Sequence, residues 1–225
     1  MSSFVLKIIA ALSMLLDHMG LLLFPQLPWL RVLGRLAFPI YAFCIAEGFR
    51  HTRSRKRYFL QVFLLGLVCQ IVYFVADGSL YLGVLIVFSL SIGLMWAFDR
   101  VKKAEAPGKR RLNAALFALL LAAVALLCTY MEVDYGFWGI MLAFVYFACE
   151  KPEHGLALFT AVLLLLCLRL ASTGFEVQWW SLMTLPLIYA YNGQPGKYRL
   201  KYFLYIFYPA HLAALYLIAM LPLFS

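Results

Sequence analysis

Residues 112–131 read LNAALFALLLAAVALLCTYM, twenty positions without a charged side chain, preceded by Arg110 and Arg111 and followed by Glu132. The apolar residues run on continuously and do not alternate with polar ones. In hydrocarbon every backbone N–H and C=O must be paired within the structure, so only helices and closed barrels can span a membrane. A barrel strand would alternate along its length, and this stretch does not. At 1.5 Å per residue, a helix of this length covers ~30 Å, the thickness of a bilayer core. The stretch reads as a transmembrane helix.

Runs of the same kind recur at 4–24, 29–49, 58–76, 80–99, 135–149, 155–172, 177–191 and 202–223. The expected fold is all-α, a polytopic integral membrane helical bundle of about nine transmembrane helices, forming a single transmembrane domain over residues 1–225. The runs 135–149 and 177–191 have 15 residues each, roughly 22 Å of helix. They are short for a full crossing and are expected as tilted-neighbour or partial helices. The first run is expected to be retained, because its polar residues fall in its middle and no small-residue cleavage site follows it.

Composition agrees with this reading. The chain is 65% hydrophobic and 13% charged, with a mean hydropathy of +0.90. Soluble domains carry about 25% charged and about 45–50% apolar residues. A soluble enzyme, a nucleic-acid-binding domain and a disordered chain are therefore excluded. The five cysteines lie in apolar stretches without metal-ligand spacing and read as small core residues.

The net charge of +9 is explained by topology. Basic residues gather in alternate loops: Arg50, Arg53, Arg55, Lys56 and Arg57, then Arg100, Lys102, Lys103, Lys109, Arg110 and Arg111, then Lys151, then Lys197, Arg199 and Lys201. The intervening loops carry only Asp77, Glu132, Asp134 and Glu176 as charges. The positive-inside rule then predicts the N-terminus and basic loops inside and, for nine spans, the C-terminus outside.

An ionisable group at the centre of a span costs ~2.5–3.5 kcal/mol on insertion scales and calls for a reason. Asp17, His18, Arg31, Arg35, Glu47, Arg169 and His211 are such groups. The turn between the first two runs, 25–28, is very short, so these runs are antiparallel neighbours. Asp17 and Arg35 then meet at similar depth, which predicts an ion pair. Arg31 lies four residues before Arg35 on the same helix face, beside Gly34. Arg31 either snorkels to the outer surface or joins the pair, and two cations there ask for more than one anion. His211 follows Tyr208-Pro209, which predicts a kink one turn before it near the bilayer midplane. It either donates to a neighbouring helix or works with Asp17 or His18. Asp17 and His18 point about 100° apart and cannot form a dyad with each other. Glu47 and His51 make an i,i+4 pair that a solvated surface would also explain, and Arg169 is expected to snorkel.

Several of these residues stand in motifs. They include Leu6-Lys7-Ile8-Ile9-Ala10, Asp17-His18-Met19-Gly20, the stretch from Arg31-Val32-Leu33-Gly34-Arg35 through Phe38-Pro39-Ile40, Glu47-Gly48-Phe49-Arg50-His51-Thr52, Tyr191-Asn192-Gly193 and Phe207-Tyr208-Pro209-Ala210-His211. Together they resemble the TraX family of bacterial membrane proteins, named for a conjugation protein that N-acetylates pilin. The family looks distantly similar to multi-span acyltransferases that use acetyl-CoA. The resemblance implies acyl transfer from acetyl-CoA, in the bacterial cytoplasmic (inner) membrane, among lipid and without nucleic acid; it does not carry over the acceptor, which is left open as a pilin-like peptide or a sugar.

The residues permit that chemistry. A histidine can act as general base, with His211 preferred on depth and His18 second. Arg35 can stabilise the oxyanion, with Asp17 holding it or orienting the base. Arg31, Glu47, Arg50, His51, Arg53, Arg55 and Arg57 are candidates for holding the donor, the basic loop facing the side where acetyl-CoA is made. No metal is expected, since scattered histidines lack paired carboxylates. Two other readings use the same residues: a small-substrate or proton-coupled transporter, in which they form a relay, and a non-catalytic assembly factor, in which they are structural pairs.

Overall fold

The structure is a computed structural model and describes residues 1–78, 80–197 and 201–220. Arg199 and the end of the run 202–223 lie outside the described residues. About 80% of the chain is helical and no strand forms among the described residues. The helices are α1 (Ser3–Leu22), α2 (Pro28–Gly34), α3 (Ala37–His51), α4 (Arg55–Asp77), α5 (Val84–Lys102), α6 (Pro107–Tyr130), α7 (Gly136–Ala148), α8 (Pro152–Ala171), a 3₁₀ helix at Glu176–Met183, α9 (Thr184–Tyr189) and α10 (Lys201–Ala219).

Among the described residues, six stretches are long and apolar enough to cross a membrane: Ser3–Leu22, Pro28–His51, Arg55–Val75, Val84–Lys102, Pro107–Tyr130 and Pro152–Ala171. Large apolar side chains such as Leu64, Ile71, Leu119 and Leu126 stand exposed on them. That surface suits lipid and would be a liability in water. The chain is a helical membrane protein.

Two expected spans are not continuous α-helices, and a proline accounts for each. The run 29–49 breaks at Arg35 and Leu36, between α2 and α3. Pro39 has no N–H, and its ring crowds the carbonyl four residues back, that of Arg35. The chain tightens there, with Leu36 N–H donating to Leu33 O at 3.4 Å. The run 177–191 is the 3₁₀ helix followed by the six-residue α9. Pro186 likewise blocks a continuous α-helix through Leu182. The 3₁₀ stretch turns Gln178, Ser181 and Thr184 inward, each fully buried. A spacing of three matches its 3.0 residues per turn.

The chain divides into two compact units, Met1–Cys44 with Leu163–Ser225, and Ile45–Val162. In the first, α1 packs on α2 and α10, and α2 packs on the 3₁₀ helix. Glycines allow the α1–α2 approach. A Cβ on Gly20 would lie 2.8 Å from that of Leu30, and a Cβ on Gly34 would overlap the Asp17 side chain, 2.7 Å from its Cα. The start of the chain is clasped by the segment after α9. Asn192 N–H donates to Met1 O at 2.9 Å and Ser3 N–H to Gln194 O at 2.9 Å. Gly193 and Gly196 take the positive φ values of 72° and 87° that shape this clasp. The Tyr191-Asn192-Gly193 motif thus seats α1, with Tyr191 edge-on to Phe43.

In the second unit α5 packs against α4, α6 and α7. Its Ile86, Val87, Phe88, Ile92, Leu94 and Met95 are buried. Ser91 Oγ donates to the Ile140 carbonyl at 2.8 Å, satisfying a hydroxyl that the apolar surroundings would otherwise penalise.

Candidate functional site

Asp17 and His18 sit on consecutive positions near the end of α1, and each has a different partner. Asp17 holds two arginines. Arg31 Nη1 donates to Asp17 Oδ2 at 2.8 Å and to the Asp17 backbone carbonyl at 3.2 Å, and Arg35 Nη2 donates to Asp17 Oδ1. The expected Asp17–Arg35 pair is present. Arg31 joins it and does not stand apart at the surface. Arg35 is 5% exposed, Asp17 14% and Arg31 21%. One carboxylate between two guanidinium groups leaves the cluster with one positive charge in excess.

His18 Nδ1 lies 2.9 Å from His211 Nε2, with ring centroids 5.0 Å apart. Of the partners open to His211, the structure selects His18. His211 Nδ1 lies 2.7 Å from the carbonyl of Phe207, one turn back on α10. A carbonyl only accepts, so His211 Nδ1 carries a hydrogen. In the neutral pair, His211 Nε2 is then an acceptor and His18 Nδ1 donates to it. His18 Nε2 keeps its lone pair and makes no hydrogen bond among the described residues. The Phe207 ring stacks on His211 and Tyr208 meets it edge-on, fixing its plane. Pro209 lies within α10, as the sequence led one to expect.

The sequence favoured His211 over His18 on depth and left a pairing of the two open. The structure joins them, and both ring nitrogens of His211 are engaged. The basic lone pair belongs to His18.

Phe175 escaped the sequence analysis as a member of the site, and so did the burial of Gln178. Phe175 lies beneath the arginines, its ring centre 5.2 Å from the Arg35 guanidinium carbon and 5.9 Å from that of Arg31. Such stacking favours a desolvated cation. Gln178, in the 3₁₀ helix that packs on α2, is fully buried. The signal available was the three-residue spacing of Gln178, Ser181 and Thr184 inside an apolar run. Arg169 is exposed in the last turn of α8, where a cation suits the helix dipole.

The remaining candidates belong to the second unit. Arg50 donates to the carbonyls of Tyr146 at 2.6 Å and Cys149 at 3.0 Å, capping the end of α7, and lies over the Tyr146 ring. Glu47 Oε1 accepts from Tyr146 Oη at 3.1 Å and lies 3.5 Å from Arg50 Nη1. His51 Nδ1 lies 2.9 Å from the Glu47 backbone carbonyl. Arg55 donates to Thr52 O at 2.6 Å, and its Nε lies 3.7 Å from Asp99. Arg50 and Arg55 therefore hold this unit together, whereas Arg53 and Arg57 are exposed.

Comparison with known proteins extends these observations. The family model described as TraX protein matches residues 2–219. The "Probable fimbrial assembly protein FimC, serogroup H1" of Dichelobacter nodosus is 29% identical, over 95% of this chain and 94% of its own. Protein TraX of Escherichia coli is 27% identical, over 96% of this chain and 86% of its own. No solved structure matches.

Proposed function

The chain belongs to the TraX family, and from that premise we propose that it is a bacterial cytoplasmic-membrane acyltransferase. It moves an acetyl group from acetyl-CoA to an amine or hydroxyl of a peptide or sugar acceptor. The observation that carries this reading is a histidine with an open Nε2, oriented by a second histidine and next in sequence to a carboxylate bearing two arginines.

Such a set has the parts the reaction needs. The acceptor's N–H or O–H gives its proton to His18 Nε2 as the acceptor attacks the thioester carbonyl. His211 keeps His18 in the productive tautomer and accepts from its Nδ1 when the ring becomes cationic. The oxyanion is met by the arginine cluster, whose charge Asp17 only half balances. The C–S bond breaks as the new C–N or C–O bond is retained, and the thiolate takes the proton from His18.

A second reading, a non-catalytic assembly factor, is favoured by the printed name of the Dichelobacter relative. One experiment separates the two. Protein in lipid nanodiscs is given acetyl-CoA, and loss of thioester absorbance is followed with and without an amine acceptor. The enzyme reading expects turnover that His18→Ala lowers by about 10²–10⁴-fold while acetyl-CoA still binds. Turnover absent from the wild type, or unaltered in His18→Ala, would overturn it.

A further inference from the structure

The 3₁₀ helix Glu176–Met183 is apolar outside and polar inside. Trp179, Trp180 and Met183 are 39%, 48% and 57% exposed, whereas Gln178, Ser181 and Thr184 are fully buried. A polar group turned inward within a membrane bundle is costly unless it is hydrogen-bonded. Ser181 and Thr184 have local partners: Ser181 Oγ lies 3.4 Å from Cys167 Sγ, and Thr184 Oγ1 donates to Ser181 O at 2.7 Å. Gln178 differs. Neither its Oε1 nor its Nε2 has a hydrogen-bond partner among the described residues. A buried carboxamide left so is costly, and the cost needs a reason.

Gln178 N–H donates to the Phe175 carbonyl at 3.2 Å, the bond that opens the 3₁₀ helix, so one turn of chain separates the two residues. Phe175 caps that helix from outside it, with φ -96° and ψ 58°. Its ring is 37% exposed and lies under Arg31 and Arg35. One turn of chain therefore links an accessible ring and two guanidinium groups to a closed carboxamide.

Chemistry narrows the ligand. A carboxamide offers a donor and an acceptor side by side. A carboxylate or phosphate would satisfy Nε2 and set an anion against Oε1, and a hydrocarbon would satisfy neither. Amide groups answer both. A single trans amide holds its N–H and C=O on opposite sides, so the match requires consecutive amides, as along an extended peptide or a pantetheine arm.

We infer that Gln178, with the Phe175–arginine platform, forms a subsite for a ligand segment carrying consecutive amides. The inference rests on the acyl-transfer reading for its two sources, the pantetheine arm of acetyl-CoA and a peptide acceptor. Gln178→Met keeps length and removes both hydrogen-bonding groups; Gln178→Glu keeps shape and removes the donor. In nanodiscs, both variants should raise one KM by about tenfold or more, with kcat changed less than about twofold. A rise for acetyl-CoA identifies the donor arm. A rise for a tetrapeptide with a free amino end, but not for glucosamine, identifies the acceptor. Gln178→Met should also raise the Tm of the ligand-free protein by about 2–4 °C, because an unmade bond is removed. Unchanged KM values in both variants, or an equal rise for tetrapeptide and glucosamine, overturn the subsite. Should the wild type transfer no acetyl, the acyl-transfer reading fails and thermal shift alone decides. Stabilisation by CoA or tetrapeptide that Gln178→Met abolishes supports the subsite; no shift, or an equal one in both proteins, overturns it.

Discussion

Replacing Asp17 by Asn keeps the side chain's shape and removes the carboxylate charge that bridges two guanidinium groups. Arg35 is 5% exposed and Arg31 21%, so neither can recover full hydration. Breaking a buried pair costs about 3–5 kcal/mol. The residual exposure of Arg31 and of Asp17 places the loss near the lower end, at about 3 kcal/mol. Arg31→Gln is the informative contrast. It loses the bonds of 2.8 and 3.2 Å to Asp17 but leaves one carboxylate against one guanidinium, and should cost about 1–2 kcal/mol. For a chain of this size 1 kcal/mol corresponds to roughly 2–4 °C, so Asp17→Asn should lower Tm by about 6–12 °C. Arg31→Gln should lower it by about 2–8 °C. The chain supplies its own reporter, because Cys69 and Cys167 are buried thiols. A thiol-reactive fluorophore in nanodiscs therefore records unfolding as they emerge. If Arg31→Gln proves as damaging as Asp17→Asn, charge balance does not govern this cluster.

Gly34→Ala should displace Asp17 and lower both Tm and turnover, whereas Gly93→Ala, whose added methyl meets nothing nearer than 4.0 Å, should leave both nearly unchanged; paired melts and assays decide. His211→Gln retains an acceptor for His18 Nδ1 and should keep at least tenfold more activity than His18→Gln, with equal rates contradicting the assigned order of the two rings. Arg50→Ala should destabilise the protein by about 2–3 kcal/mol through the uncapped carbonyls at the end of α7, whereas Arg53→Ala, at an exposed side chain, should leave Tm unchanged. A reporter active only in the cytoplasm should be silent on the C-terminus if the chain crosses the membrane nine times from an inner N-terminus.

Residue chemistry alone determined that this is a helical membrane protein, because hydrocarbon leaves an uncharged run such as 112–131 no alternative to a helix. It also brought Asp17 to Arg35, since a turn as short as 25–28 forces the flanking runs to lie side by side. The broken helices were legible in principle: Pro39 and Pro186 stand inside apolar runs, but hydropathy counts a proline as one more uncharged residue and does not register a missing N–H. The pairing of His18 with His211 was open on the sequence, because the two lie 193 positions apart and only the packing of α10 on α1 brings their ring nitrogens within hydrogen-bond distance. Which histidine keeps a free lone pair was beyond sequence altogether, for it depends on where the Phe207 carbonyl points. Phe175 joined the site for the same reason: a residue of ordinary type became part of it only when the fold laid its ring under the two guanidinium groups, and such proximity is a property of the folded chain.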